Sequence, residues 1–235
     1  MTSIPTRLGM IVALNGYRYQ ITPTDVLWLA RSVQYEGGNY LATAWTYAQR
    51  QVLYRRTGSL ADLVLGHSQP VNPKWRRDGE FCRPGGRYHG QDNCSEARLA
   101  RRDEAASLPW DSIREEIRST VVRWALGETS NPVPRATDFA DAAVSAGFLE
   151  RNPESRVVLR DGNWYIAEVV GSRNAVNWPS GFVQILSPGA TAAATGASVL
   201  VPLAAAGAVW YFMRGRRGGL SAVAHPQKSK KRRRR

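Results

Sequence analysis

The sequence predicts a mainly α-helical domain of α+β class, with a small β element, followed by one transmembrane helix. Three observations predict it. Amphipathic segments with recognisable ends recur between residues 22 and 146, and a short stretch at 156–169 alternates around Asp161-Gly162. Beyond these, 32 uncharged residues run from Phe182 to Met213. A chain of 235 residues that is 43% apolar can bury one core of ordinary size and still carry a tail.

Residues 22–40 read as the first helix. Thr24 is the expected N-cap, Asp25 lies in the first turn, Leu29 and Val33 share a face, and Gly37-Gly38 is the stop. A second helix runs from Leu41 to Arg56 with Trp45, Ala48 and Val52 on one side. A third, short one starts at Ser59 and carries Leu60, Leu63 and Val64. Residues 66–106 mix glycine, proline, charges and both cysteines with little apolar periodicity, and read as a long loop insertion. The clearest amphipathic pattern is Pro109–Leu126, with Trp110, Ile113, Ile117, Val121 and Trp124 at three- and four-residue steps. Thr137–Ala146 reads as another helix closed by Gly147, and 156–169 as a hairpin. The folded domain is expected to span residues 1–181.

Within the uncharged run, residues 187–213 supply the roughly 20 residues that a spanning helix needs. Trp210 and Tyr211 stand at the end where Arg214, Arg216 and Arg217 form a stop. Residues 214–235 hold ten basic side chains and no acid. Without them the net charge of +13 falls to +3, with 22 basic against 19 acidic residues. The charge is therefore a property of the tail and does not mark the body as a nucleic-acid binder. The tail suits anionic lipid headgroups or nucleic-acid phosphates equally. Positive charge favours the cytoplasmic side, so the expected topology is single-pass, in a virion membrane or a bacterial inner membrane. The body then lies outside, and the tail is cytoplasmic or internal to the particle.

Cys82 and Cys94 lie in one polar segment, spaced to suit a local disulfide; two free thiols are the alternative. A metal site with His89 and His67 fits less well, because paired CxxC ligands are absent. No cofactor and no metal are expected.

Glu36 is the leading chemical candidate. It ends a helix before two glycines, with Trp28, Tyr35 and Trp45 near in sequence to bury it. Burial and the negative end of the helix both raise a carboxyl pKa. A carboxyl kept protonated near neutral pH is what protonation of a glycosidic oxygen requires. By position alone, the commoner reading of such a residue is a solvated helix-end glutamate.

The residues around it carry a resemblance. Ala30-Arg-Ser-Val-Gln-Tyr-Glu36, then Ala44-Trp-Thr-Tyr-Ala-Gln-Arg50, resemble the paired helices of the SleB-type cell wall hydrolases. The matches continue in order with Ser59–Leu65 before Gln69, then Gly127, Asn131-Pro132 and Ala136-Thr-Asp-Phe139. The resemblance touches most of residues 24–180. It implies a lysozyme-like domain that cuts the glycan strands of peptidoglycan, with Glu36 as its general acid. Tyr40 stands where the family has a second glutamate, and Gln49 where it has asparagine.

With one acid in place, the single-acid route of lytic transglycosylases is favoured over a two-carboxylate hydrolase. In that route one group protonates the leaving oxygen and then takes the proton of the attacking 6-hydroxyl. Asp138 is the candidate second carboxylate. Gln69, Thr137 and Tyr165 are expected to position sugar groups. Trp75, Trp164 and Trp178 are expected to stack on sugar rings, although tryptophan in a core is commoner, and Asn72, in the loop Asn72-Pro73-Lys74-Trp75, is expected to bind substrate beside Trp75. The reading is thus a membrane-anchored peptidoglycan-degrading enzyme, serving genome entry if it belongs to a virion. The alternative is a non-enzymatic single-span virion or membrane protein whose basic tail binds nucleic acid.

Overall fold

A computed structural model describes residues 2–54 and 58–190. Strand β1 (Met10–Ala13) turns at Gly16 into β2 (Arg18–Gln20), and the chain enters helix α1 (Pro23–Glu36). The cap of α1 is Thr22, two residues before the expected Thr24. Its hydroxyl accepts from the Asp25 N–H, and the Asp25 carboxylate accepts from the Thr22 N–H at 2.8 Å. Pro23 at the first helical position, which needs no N–H partner, moves the start upstream. Asp25 is fully buried, and it also accepts from the Tyr19 hydroxyl and the Ala61 N–H. One carboxylate thereby ties β2 and α1 to the helix that contains Ala61.

Helix α2 (Tyr40–Leu53) is capped by Asn39, and α3 (Leu60–His67) by Ser59 with Asp62 closing a capping box. Residues 66–106 are not a bare loop. Two single-turn 3-10 helices, Pro73–Trp75 and Asp92–Cys94, lead to α4 (Glu96–Ser107). Cys82, Cys94 and Leu99 form a second small core with Trp75, Phe81 and Tyr88. The inward face of α4 is Leu99, Arg102 and Ala105, and the buried arginine hides the apolar period. The expected helix at 109–126 is broken. A 3-10 turn covers Trp110–Ser112, Ile113 is extended, and α5 is Glu115–Ala125.

The expected helix at 137–146 also begins later. Asp138–Ala140 is strand β3, drawn onto an open sheet edge, and Asp141 caps α6 (Ala142–Arg151) by accepting from the Val144 N–H. The hairpin at 156–169 forms as β4 (Arg156–Asp161) and β5 (Asn163–Ala167), giving an antiparallel sheet of order β3-β5-β4. Short strands β6 (Val169–Val170) and β7 (Arg173–Asn174) pair with each other. Finally β8 (Val183–Leu186) returns to β1, in register Ala13 to Val183, and completes the sheet β2-β1-β8.

Strand β8 lies beyond the expected domain end at residue 181 and takes up the start of the long uncharged run. No helix among the described residues is long and apolar enough to cross a membrane. The rest of the run and the basic tail, residues 191–235, lie outside the described residues. The expectation of a mainly helical domain with one β element and a terminal span, and of a single-pass localisation, is corrected accordingly. Six α-helices and eight strands in three antiparallel sheets lie wholly within the described residues, and a further helix begins at Pro188. The core centres on α1, which packs against α2, α3 and α5; its Val26, Leu29, Ala30 and Val33 share one buried cluster with Ala48, Leu63, Val121 and Trp124.

Candidate active site

Helix α1 stops at Glu36 because Gly37 and Gly38 follow at φ 72° and 70°, a backbone region that other residues rarely adopt. Glu36 is half-buried, open enough for a ligand to reach its edge. Ser68, the C-cap of α3, donates its hydroxyl to Glu36 Oε1 at 2.7 Å. Ser32, one turn before Glu36 on α1, donates to the Ser68 oxygen at 2.8 Å. Burial raises the Glu36 pKa to about 7, partly opposed by the Ser68 hydrogen bond. A carboxyl poised there is half protonated at neutral pH, so it can give a proton and later take one. Tyr47 of α2 is fully buried and interacts with both serines and with Glu36; burial, then Glu36, raises its pKa.

The β-sheet grips the connection that leaves Glu36. The Tyr165 hydroxyl on β5 accepts from the Asn39 N–H at 3.1 Å and donates to the Asn39 carbonyl at 3.0 Å. Thr43 shares that hydroxyl at 3.1 Å, and Asn39 Nδ2 donates to Asp161 on the hairpin at 2.9 Å. Tyr165 is thus placed as a buried clamp on the loop after Glu36.

The other expected site residues are dispersed. Gln69 is exposed and follows Ser68 in the chain. The Asn72 side chain accepts from the Lys74 N–H and donates to the Gly66 carbonyl, so it builds its own loop. Trp75 stacks on Tyr88 at 5.0 Å and meets Phe81 edge-on within the second core, with the Arg102 guanidinium over its ring. Trp178 stacks on Phe182 at 4.5 Å. Thr137 is fully buried, and its hydroxyl accepts from the Glu168 N–H. Asp138 is bound by Arg50 at 2.5 Å. Cys82 and Cys94 are joined in a disulfide, and His89 Nδ1 is hydrogen-bonded to the Cys82 carbonyl. Among the described residues no group of three or more metal-ligating side chains occurs.

Sequence reasoning missed Ser32, Ser68 and Glu168. Ser32 was findable, since it lies four residues before Glu36 and so on the same helix face. Glu168 is almost fully buried beside Arg50 and Asp138, and its Oε2 has no hydrogen-bond partner among the described residues. Burial raises its pKa to about 7, against the lowering effect of Arg50. A cavity of about 620 Å³ is lined by Gly38, Asn39, Tyr40, Thr120, Arg123 and Asp161 among others. Glu36 is not in its lining, but the Gly37-Gly38 connection joins the two.

No protein-family model matches the chain, and no curated protein or solved structure matches it either. The resemblance to the SleB-type hydrolases therefore stands on the motif residues, and the functional reading on the chemistry around Glu36.

Proposed function

We propose that the chain cleaves the glycan strands of peptidoglycan as a lytic transglycosylase, with Glu36 as its one general acid and base. The observation that carries this reading is the state of Glu36. Its carboxyl sits at a helix end where burial raises the pKa to about 7, and one oxygen is held by Ser68. The protonated acid gives its proton to the glycosidic oxygen as the bond to the anomeric carbon breaks. The resulting carboxylate takes the proton of the muramic-acid 6-hydroxyl, whose oxygen bonds to the same carbon and closes a 1,6-anhydro ring. Acid and base are one group, and the proton count closes over the cycle.

A two-carboxylate hydrolase is less well supported. Asp138, the candidate partner, is bound to Arg50, and the influences on Glu36 are burial and Ser68. Digestion of purified peptidoglycan by the full chain tests the reading. Anhydro-muropeptides are the expected products, reducing ends would indicate hydrolysis, and an absence of cleavage would overturn the proposal.

A further inference from the structure

We propose that Ser68, backed by Ser32, is a positioning residue that holds Oε1 of Glu36 and leaves Oε2 as the oxygen that gives and takes the proton. With Glu36 ionised, its oxygen can only accept, so Ser32 gives its proton to the Ser68 oxygen and Ser68 gives its own to Glu36 Oε1. Both serines are fully buried, so bulk water does not compete for either hydroxyl. Oε1 is engaged with Ser68 whether the carboxyl accepts from the hydroxyl or, when protonated, donates to it. Oε2, the oxygen not engaged by Ser68, is therefore the one left to exchange a proton with a ligand.

The same bond favours the ionised carboxyl and so tempers the effect of burial. Tyr47 from α2 belongs to the same cluster, since its hydroxyl interacts with both serines, and Tyr165 from β5 also faces Glu36; both are neutral phenols with raised pKa values. On the α4 side, Arg101 and Glu104 engage Tyr35, and on the α5 side the Arg114 N–H binds Gln34.

The catalytic consequence rests on the reading of Glu36 as general acid, whereas the titration behaviour does not. Carbon-detected NMR of the glutamate carboxyls in the full chain, with Glu36 assigned through Glu36→Gln, measures the titration directly. Ser68→Ala is expected to move the Glu36 midpoint upward by about one pH unit. Ser32→Ala should move it in the same direction by less, and Ser68→Thr should restore it. In peptidoglycan digestion, the alkaline fall of activity should follow the same order, with kcat affected more than KM. An unmoved midpoint in folded Ser68→Ala overturns the proposal. If that variant fails to fold, Ser32→Ala decides, and an unmoved midpoint there overturns it equally. Shifted midpoints in a chain that cuts no peptidoglycan would retain the positioning role and sink the glycan reading. Cleavage with unmoved midpoints would do the reverse.

Discussion

Gly162 rests backbone to backbone on Gly38: a Cβ built on Gly162 would lie 2.7 Å from the Gly38 Cα. A Cβ on Gly38 would in turn lie 2.9 Å from Asn163 Nδ2. Both residues also hold positive φ. The tip of the β4–β5 hairpin reaches the connection after Glu36 only because neither partner has a side chain. Alanine at either position is expected to cost about 1–3 kcal/mol through strain and overlap together. Gly16→Ala is the control, since it shares the positive φ but its Cβ would meet nothing. Thermal unfolding of the three variants checks this. Equal losses in all three would show that the contact itself constrains nothing.

Glu36→Gln keeps the shape of the side chain and the hydrogen bond from Ser68, but it cannot supply an acidic proton. Cleavage of peptidoglycan should fall by about 100-fold or more with unfolding behaviour little changed. Turbidity loss on isolated cell walls measures it. A variant that clears walls at the native rate would remove Glu36 from the chemistry.

The pH dependence of activity follows from the protonated form being the acid. With the Glu36 pKa at about 7, kcat/KM should decline as pH rises through that value, along a single-proton limb. An activity that rises steadily from pH 6 to 9, values spanning the range about 7, is the contrary result.

Stability should decline in the same direction. Glu36 and Glu168 both have folded pKa values raised by burial from the ordinary carboxyl range to about 7. The unfolded chain releases these protons first as pH rises. Stability from the protonated, buried carboxyls is therefore complete below the unfolded value and lost as pH climbs through the folded one. Glu168→Gln, which removes one of the two groups, should flatten the decline by about 3 kcal/mol. Denaturant midpoints measured across that window check it, and an unaltered slope would contradict the account of Glu168.

Asp138→Asn separates the two glycosidase routes. It leaves the Arg50 guanidinium with Glu168 as its remaining acidic neighbour, and the pair is only partly buried, so a stability loss of about 1 kcal/mol is expected. Once the protein is folded, product identity should remain anhydro-muropeptide. Loss of all turnover in a folded Asp138→Asn chain would assign Asp138 a chemical role.

The sequence made local features legible and distant ones obscure. The cap at Ser59, the helix end at Glu36 and the turn at Asp161-Gly162 are each set by residues a few positions apart, and all are in place. Helix α4 was hidden because its inward face contains Arg102, whose Nη1 donates to the carbonyls of Trp75 and Asn93. Strand β3 was mistaken for helix because its extended state depends on pairing with β5, not on its own residues. The uncharged run from Phe182 suggested a span from its start, yet Val183–Leu186 pairs with a strand near the other end of the chain. At the site, Glu36 was readable from position and motif. Ser68 was not, because its role comes from the packing of α3 against α1.

The pairing of β1 with β8 also governs how the protein is made. Strand β1 lies in the middle of its sheet, with fully buried Ile11 opposite Ile185. It finds β2 almost at once but must wait for β8. At about 5–20 residues per second, a ribosome needs roughly ten seconds or more to travel from Ala13 to Val183. Throughout that interval β1 has only the short β2 to pair with, and a hairpin formed by the two would present an open strand edge, the kind of surface that holding chaperones cover and that neighbouring polypeptides join.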